Sequence, residues 1–333
     1  MTFPPLTTLA VARRVPLRPA HVLGGRGADP APVRWWVGVD GGGSGTRVRV
    51  HRSDAPGVSG EGQAGPSALG QGVDQAWRHI RDAAQQAFAQ IGLELDDSVW
   101  AASALAAGLS GANVPGQAEQ WLAARPPLAL TVLDSDAVTA VLGALGGRPG
   151  GVVAVGTGSV GVALDAQGRQ HHSGGWGWRV GDEGSGAWLG MRAIQHTHQA
   201  SDGRATAGAL AEAVWAVTGR SVAEQLAWDA RAGQTAYASL APAVFDTAAQ
   251  DPAAARLIAR AADHIRHLAL ALDATQSCDL VLTGSVGQRL RPELERQGPD
   301  LAARFVPRLG DGCAGALILL ESALAPDGGA AAY

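Results

Sequence analysis

Three glycine-rich turns hold the residues best suited to chemistry. Asp40-Gly-Gly-Gly-Ser-Gly-Thr46 lies between two segments that read as strands, Trp35–Asp40 and Thr46–His51, the second alternating at period two. Glycines lack the Cβ that would block close approach, so such a hairpin can offer several backbone N–H groups to a phosphate chain. Gly41, Gly42 and Gly43 are the candidate amides, Ser44 and Thr46 add hydroxyl donors, and Asp40 could hold a magnesium ion through water. Gly156-Thr157-Gly158-Ser159 repeats the arrangement 115 residues later, which reads as an internal duplication. Two such turns could clamp one polyphosphate. The third, Thr283-Gly284-Ser285-Val286-Gly287, falls between a strand and a helix and could receive a nucleotide there.

Carboxylates supply the rest. Asp136 follows a buried-type strand at its carboxyl end, where ligands gather in α/β sheets, although an N-cap role is equally open and Asp134 competes with it. Asp182 and Glu183 sit in the polar loop Trp176–Gly186, flanked by Gly181 and Gly184; carboxylates there could accept hydrogen bonds from the hydroxyls of a sugar, and Trp176 and Trp178 could pack on its face. His171-His172 and His196-Thr-His198 lack the spacing of a zinc site.

All 26 basic residues of this 333-residue chain are Arg. The absence of Lys excludes a GxxxxGK[ST] phosphate loop, Schiff-base chemistry and Ser-x-x-Lys hydrolysis. A net charge of −4 with no polybasic run gives no attraction to nucleic acid or an anionic membrane, and the longest apolar runs are far too short to span a bilayer. Two cysteines, Cys278 and Cys313, make no disulfide framework, so a cytoplasmic location is expected.

The elements needed to position these residues can be read in outline. Residues 1–33 hold six prolines and read as a disordered extension or a mis-called start. Gln71–Ile91 puts Trp77, Ile80, Ala84, Phe88 and Ile91 on one helical face. Trp100–Leu109 is Ala-rich, which favours helix locally, but its Gly-Leu-Ser-Gly exit after a helix argues for a buried strand. Leu128–Leu133 is a strand, followed by a short helix to Leu145. Gly146–Gly151 marks a boundary; beyond it come strand Val152–Val155, return strand Val162–Asp165, helix from Ser185, further helix over 207–274, strand Asp279–Leu282 and a final helix Asp311–Leu324.

Taken in order, DGGGSGT, LDSDA, AVGTGSVG, GGWGWRVGDEGSGAWLG and LVLTGSVG resemble the BadF/BadG/BcrA/BcrD ATPase family over about residues 35–325, within it most closely the glucosamine and N-acetylglucosamine kinases. The resemblance implies an α/β fold of two ribonuclease-H-like (actin-like ATPase) domains with a cleft between them: residues 34–147 completed by a C-terminal helix at 312–325, and residues 148–311. It implies phosphorylation of an amino sugar at its 6-hydroxyl by ATP with Mg²⁺. Asp136 falls on the catalytic base, Gly284 and Ser285 on the adenosine segment, and Ser67, Ser159, Gly175, Trp176, Gly177, Asp182 and Glu183 on the sugar loops. Ala68 and Val160 stand where kinases of the family carry Asn, which leans toward free glucosamine or another hexose. The expected partner is a small sugar, without nucleic acid or membrane, and a homodimer is compatible. The alternatives are an ATPase that activates a partner enzyme and a sugar-binding sensor without catalysis.

Overall fold

The computed structural model describes residues 20–24, 32–273 and 277–325. In chain order the strands and helices are β1 (His21–Gly24), β2 (Trp35–Gly41), β3 (Thr46–Arg52), β4 (Ala55–Ala64), α1 (Val73–Ala89), α2 (Asp97–Ala101), β5 (Ser103–Leu109), α3 (Gln117–Ala123), β6 (Leu130–Asp134) and α4 (Asp136–Leu145), then β7 (Gly150–Val155), β8 (Ser159–Leu164), β9 (Gln170–Gly174), α5 (Gly186–Ser201), α6 (Ala209–Thr218), α7 (Val222–Asp229), α8 (Gln234–Ala238), α9 (Ala241–Thr247), α10 (Pro252–Ala271), β10 (Leu280–Thr283), α11 (Ser285–Gln297), α12 (Pro299–Ala302) and α13 (Gly312–Leu324). The described residues form two compact units: those up to 150 with 164–170 and 308–325, and those of 151–163 with 171–307.

The first unit is built on a six-stranded sheet of order β1-β6-β5-β2-β3-β4. β2 runs antiparallel to β3 and parallel to β5, and β5 runs parallel to β6. The register aligns Asp40 with Gly108, and Gly108 with Asp134, so the carboxyl ends of three strands finish side by side. β5 is buried along its whole length. Burial on both faces overrides the helical preference of its alanines, as the strand reading of that segment anticipated. Small residues let helices approach the sheet closely: a Cβ on Gly38 would lie 2.6 Å from the Cys313 carbonyl oxygen of α13.

β1 corrects the expectation that residues 1–33 are uniformly disordered. His21–Gly24 pairs antiparallel with Thr131, Val132, Leu133 and Leu130 of β6, and the Ala20 amide donates to Asp134 Oδ2 at 3.2 Å. Most of the remaining extension lies outside the described residues. The pairing partner is more than a hundred residues away, so no local pattern announced it.

The second unit carries a sheet of order β10-β7-β8-β9, with β10 parallel to β7. Read from the hairpin outward, β9-β8-β7-β10 repeats the β4-β3-β2-β5 order of the first unit. Phe305 adds an isolated parallel bridge to Leu280, on the side where β6 lies in the first sheet. The duplicated glycine hairpins thus sit in duplicated sheets, two α/β units of the ribonuclease-H kind. The core of the second unit joins Val153, Val155, Trp188, Leu189, Ala261, Ile265 and Leu282 from strands and helices on both sides.

Candidate active site

In the first unit the turn after β2 is pinned at its base and open at its tip. The Gly42 amide donates to the Gly45 carbonyl at 3.0 Å, and the Gly42 carbonyl accepts from Ser67 and Ala68 at 3.0 and 3.2 Å. A Cβ on Gly41 would strike Ser67 Oγ at 2.0 Å, whereas Gly42 has nothing within 4 Å of that position. Gly43 and Ser44 are exposed. Gly42, Gly43 and Ser44 therefore form the accessible edge. Thr46 and Ser67 face inward instead: both are buried, and Thr46 Oγ1 lies 2.6 Å from the Gly65 carbonyl oxygen and 2.7 Å from Ser67 Oγ. A hydroxyl has one proton, so Thr46 donates to Gly65 and accepts from Ser67. These hydroxyls tie the hairpin to the 65–68 loop. His79 Nδ1, at 2.7 Å from the Pro66 carbonyl, holds the same loop from α1.

The two carboxylates of Asp-Ser-Asp have separate fates. Ser135, not Asp136, caps α4, its Oγ accepting from the Val138 amide at 3.3 Å. Asp134 is buried, and its two oxygens accept from the Ser135 and Ala20 amides. Asp136 is half-buried at the first position of the helix, and its Oδ1 accepts from its neighbour Ala137 at 2.9 Å. Burial pushes the Asp136 carboxyl above its ordinary range, against the pull of the Ala137 amide, and the negative charge of Asp40 adds to the rise.

Asp40 lies opposite Arg47 on β3, and Arg47 Nη2 contacts Asp40 Oδ2 at 2.5 Å. A Cβ on Gly312 would fall 2.4 Å from the Asp40 carboxyl carbon, so the bare first turn of α13 gives this carboxylate its room. A hard oxygen donor at a strand end beside a second carboxylate fits magnesium held by one or two carboxylates, water and phosphate. The Arg47 contact went unread in the sequence, although the hairpin register puts it across from Asp40.

In the second unit three glycines converge. The Gly156 amide donates to the Gly158 carbonyl at 2.9 Å, and the amides of Gly186 and Ala187, at the start of α5, donate to the carbonyls of Gly156 and Thr157. Gly284, with φ of 86°, abuts the same turn: a Cβ there would lie 2.2 Å from the Val155 carbonyl oxygen. Thr157, Gly284 and Ser285 are exposed around it. The second glycine turn, the 283–287 turn and the start of α5 are thus one assembly.

Beside it stands Asp182, the one non-glycine residue with positive φ (50°) among those described. It is buried; Oδ1 accepts from the Gly177 amide at 3.2 Å, and Oδ2 lies 3.4 Å from Gln234 Nε2. Burial holds the Asp182 carboxyl above its usual range despite the Gly177 and Ser159 amides, and Glu183 raises it further. Ser159 is also buried and donates to the Glu183 carbonyl at 2.9 Å. Gly175 and Gly177 have φ of 74° and 89° and carry Trp176 outward, where it is 80% exposed. Trp178 packs near Tyr237 instead, ring centroids 5.7 Å apart. Gln234 is a site residue that sequence reasoning missed; it lies 52 positions from Asp182 on a short helix, and no motif links them.

Among the described residues no helix is long and apolar enough to cross a membrane. The chain is 32% identical over 290 residues to glucosamine kinase GspK of Vibrio cholerae, covering 86% of this chain and 95% of that one. It is 29% identical over 176 residues to an N-acetylmuramic acid/N-acetylglucosamine kinase of Clostridium acetobutylicum, covering 52% and 56%. Among solved structures, a Chromobacterium violaceum protein named as an N-acetylglucosamine kinase is 40% identical, with a TM-score of 0.76 over 86% of this chain and 99% of that one. A Porphyromonas gingivalis structure shares the fold at 20% identity, with a TM-score of 0.61 over 86% and 97%. Residues 37–299 match the BadF/BadG/BcrA/BcrD ATPase family, and the chain belongs to it.

Proposed function

We propose that this chain is an ATP-dependent kinase that phosphorylates an amino sugar, glucosamine or N-acetylglucosamine, at the 6-hydroxyl. The observation that carries the proposal is Asp136: a half-buried carboxylate at the end of the first sheet, not consumed as a helix cap and electrostatically coupled to Asp40 at the glycine hairpin. The names of the relatives point the same way.

In this reading the exposed Gly43 and Ser44, on the turn shaped by Gly41 and Gly42, are the ATP-phosphate contacts of the first unit, and the exposed Thr157, on the turn shaped by Gly156 and Gly158, is that of the second. Gly284 and Ser285 receive the adenosine. Asp40 holds magnesium through water, and that ion supplies charge neutralisation on the phosphates when bound. Asp136 accepts the proton of the attacking 6-hydroxyl, which requires it ionised and within hydrogen-bond reach. Asp182, fixed by Gly177 and Gln234, accepts from sugar hydroxyls, with Glu183, Ser159 and the Gly175–Gly177 backbone beside it. Trp176 offers an exposed aromatic face for the sugar. Thr46 and Ser67 act behind the hairpin, setting its shape. Phosphoryl transfer asks mainly for positioning and charge stabilisation, which this lysine-free set supplies.

ADP release against a panel of glucosamine, N-acetylglucosamine, N-acetylmuramic acid, glucose and N-acetylmannosamine tests this directly. Glucosamine or N-acetylglucosamine should give turnover, with phosphate located on O6 by NMR. Turnover with no sugar on the panel would overturn the kinase reading.

A further inference from the structure

Away from these loops, the second unit carries a groove of about 300 Å³ on the flanks of α5 and α10, lined by Arg192, Gln195, His196, Gln199, Arg256 and Arg260 above Ala253 and Leu257. That size is at the low end for sites that take small molecules. Two polar atoms of its lining are not satisfied from within the protein. Among the described residues no carboxylate forms an ion pair with the half-buried Arg192 or the exposed Arg256 and Arg260, whereas the half-buried Arg49, Arg266, Arg291 and Arg304 each have one. Arg192 Nε and His196 Nε2 are buried without a hydrogen-bond partner. On this wall Arg192 Nη1 donates to Gln195 Oε1 at 2.7 Å.

The arrangement is also preorganised. The guanidinium carbons of Arg192 and Arg260 lie 5.4 and 5.6 Å from the centroid of one buried indole, Trp188, which fixes both by cation–π contact. The carboxylate whose charge reaches His196 is Asp251, and its oxygens are already taken by the amides of Leu210 and Ala253. Asp263, further along α10, is engaged by Arg266. Three guanidiniums without a carboxylate partner line this groove beside the unbonded Nε2 of His196, so an anion would offset their mutual repulsion, and the planar guanidinium fork suits phosphate oxygens.

We propose that this groove is a second, anion-binding site for a small phosphate-bearing molecule, held by Arg192, Arg256 and Arg260 with His196 donating from Nε2. It is separate from the loops assigned to ATP and sugar, and does not rest on that assignment.

Calorimetric titration of the full chain at constant ionic strength tests it, with inorganic phosphate and glucose 6-phosphate as probes. Wild-type protein should bind at least one of them saturably; tighter binding of the ester assigns the occupant as a phosphate monoester, tighter binding of the free ion as inorganic phosphate. The exposed pair Arg256→Gln/Arg260→Gln should raise Kd at least about tenfold. Asp182→Asn, in the candidate sugar loops, should leave Kd unchanged, so the heat does not come from the sugar loops, and the weakening in the arginine pair separates it from the glycine turns. Circular dichroism of each variant confirms that it is folded, and Arg256→Gln alone gives a milder second test. Equal affinity in wild type and the double variant, loss of binding in Asp182→Asn alone, or no saturable binding of either probe would overturn the proposal.

Discussion

Gly158 and Asp182 are fitted to one another: a Cβ at position 158 would stand 2.5 Å from Asp182 Oδ2. The backbone at 158 is not in the left-handed region, so Gly158→Ala can fold, and its cost falls on the carboxylate it displaces. The KM for sugar should rise about tenfold or more while the KM for ATP changes little, because one charge-assisted hydrogen bond is at stake. Asp182→Asn should give the same kinetic pattern without a loss of thermal stability, since Asn tolerates the positive φ of this position. Steady-state kinetics with each substrate varied in turn, beside a melting curve, checks both variants. Equal rises in both KM values would detach Asp182 from the sugar.

Asp136→Asn removes the proposed base but leaves the glycine hairpins intact. Turnover should fall by about two to four orders of magnitude with ATP binding retained, measured by ADP release and by nucleotide titration.

The environment of Asp136 also sets a pH profile. Burial first, and Asp40 in addition, raise its folded pKa above the ordinary value, while the Ala137 amide opposes them. A base works only when ionised, so kcat/KM should fall as pH drops through this raised pKa, at a higher pH than an ordinary carboxylate would give. Asp40→Asn removes the negative neighbour and should move the acid limb of the profile to lower pH. A limb that stays in place in Asp40→Asn would show that the two carboxylates are not coupled.

α4 and α13 cross with their backbones nearly in contact. A Cβ on Gly143 would meet the Asp311 carbonyl oxygen at 1.8 Å, and one on Gly315 would meet the Thr139 carbonyl oxygen at 1.8 Å. Backbone cannot step aside as a side chain can, so Gly143→Ala or Gly315→Ala should cost about 1–3 kcal/mol or more in urea unfolding, despite the better helix propensity of Ala. Because α4 begins at Asp136 and α13 begins beside Asp40, activity should fall with stability.

Arg49 on β3 reaches Asp311, the N-cap of α13, with both terminal nitrogens, at 3.0 and 2.9 Å. Burial opposes ionisation of Asp311, but the Ala314 amide and the Arg49 charge overcome it, and its folded pKa lies below the ordinary value. The stabilisation is therefore full above the unfolded pKa of about 3.9 and is lost as pH falls through the lower folded value. Asp311→Asn should weaken the fold at neutral pH by about 1–3 kcal/mol, and the gap to wild type should narrow in acid. Urea titrations at neutral and acid pH measure it.

Much of this was legible in the sequence because the signals are local. The glycines at 41–43 and at 156 and 158 announce their turns, and period-two alternation announces β3. What stayed hidden depends on partners far along the chain. The segment 134–136 could not reveal that Ser135 takes the cap and Ala20 takes Asp134, which leaves Asp136 as the half-buried carboxylate spent on neither. Thr46 and Ser67 have the residue types of ligand donors, and only their mutual burial shows that they serve the hairpin. Arg192 and Arg260 sit on helices more than fifty residues apart, and the shared indole of Trp188 brings them together.

β1 has a practical consequence for anyone shortening the chain. A version begun just ahead of β2 would keep every catalytic candidate yet strip the border strand from β6, leaving its N–H and C=O groups bare and depriving Asp134 of the Ala20 amide. Uncapped strand borders template self-association. Size-exclusion chromatography should show the trimmed protein drifting to high molecular weight, even though nothing that touches substrate has been cut away.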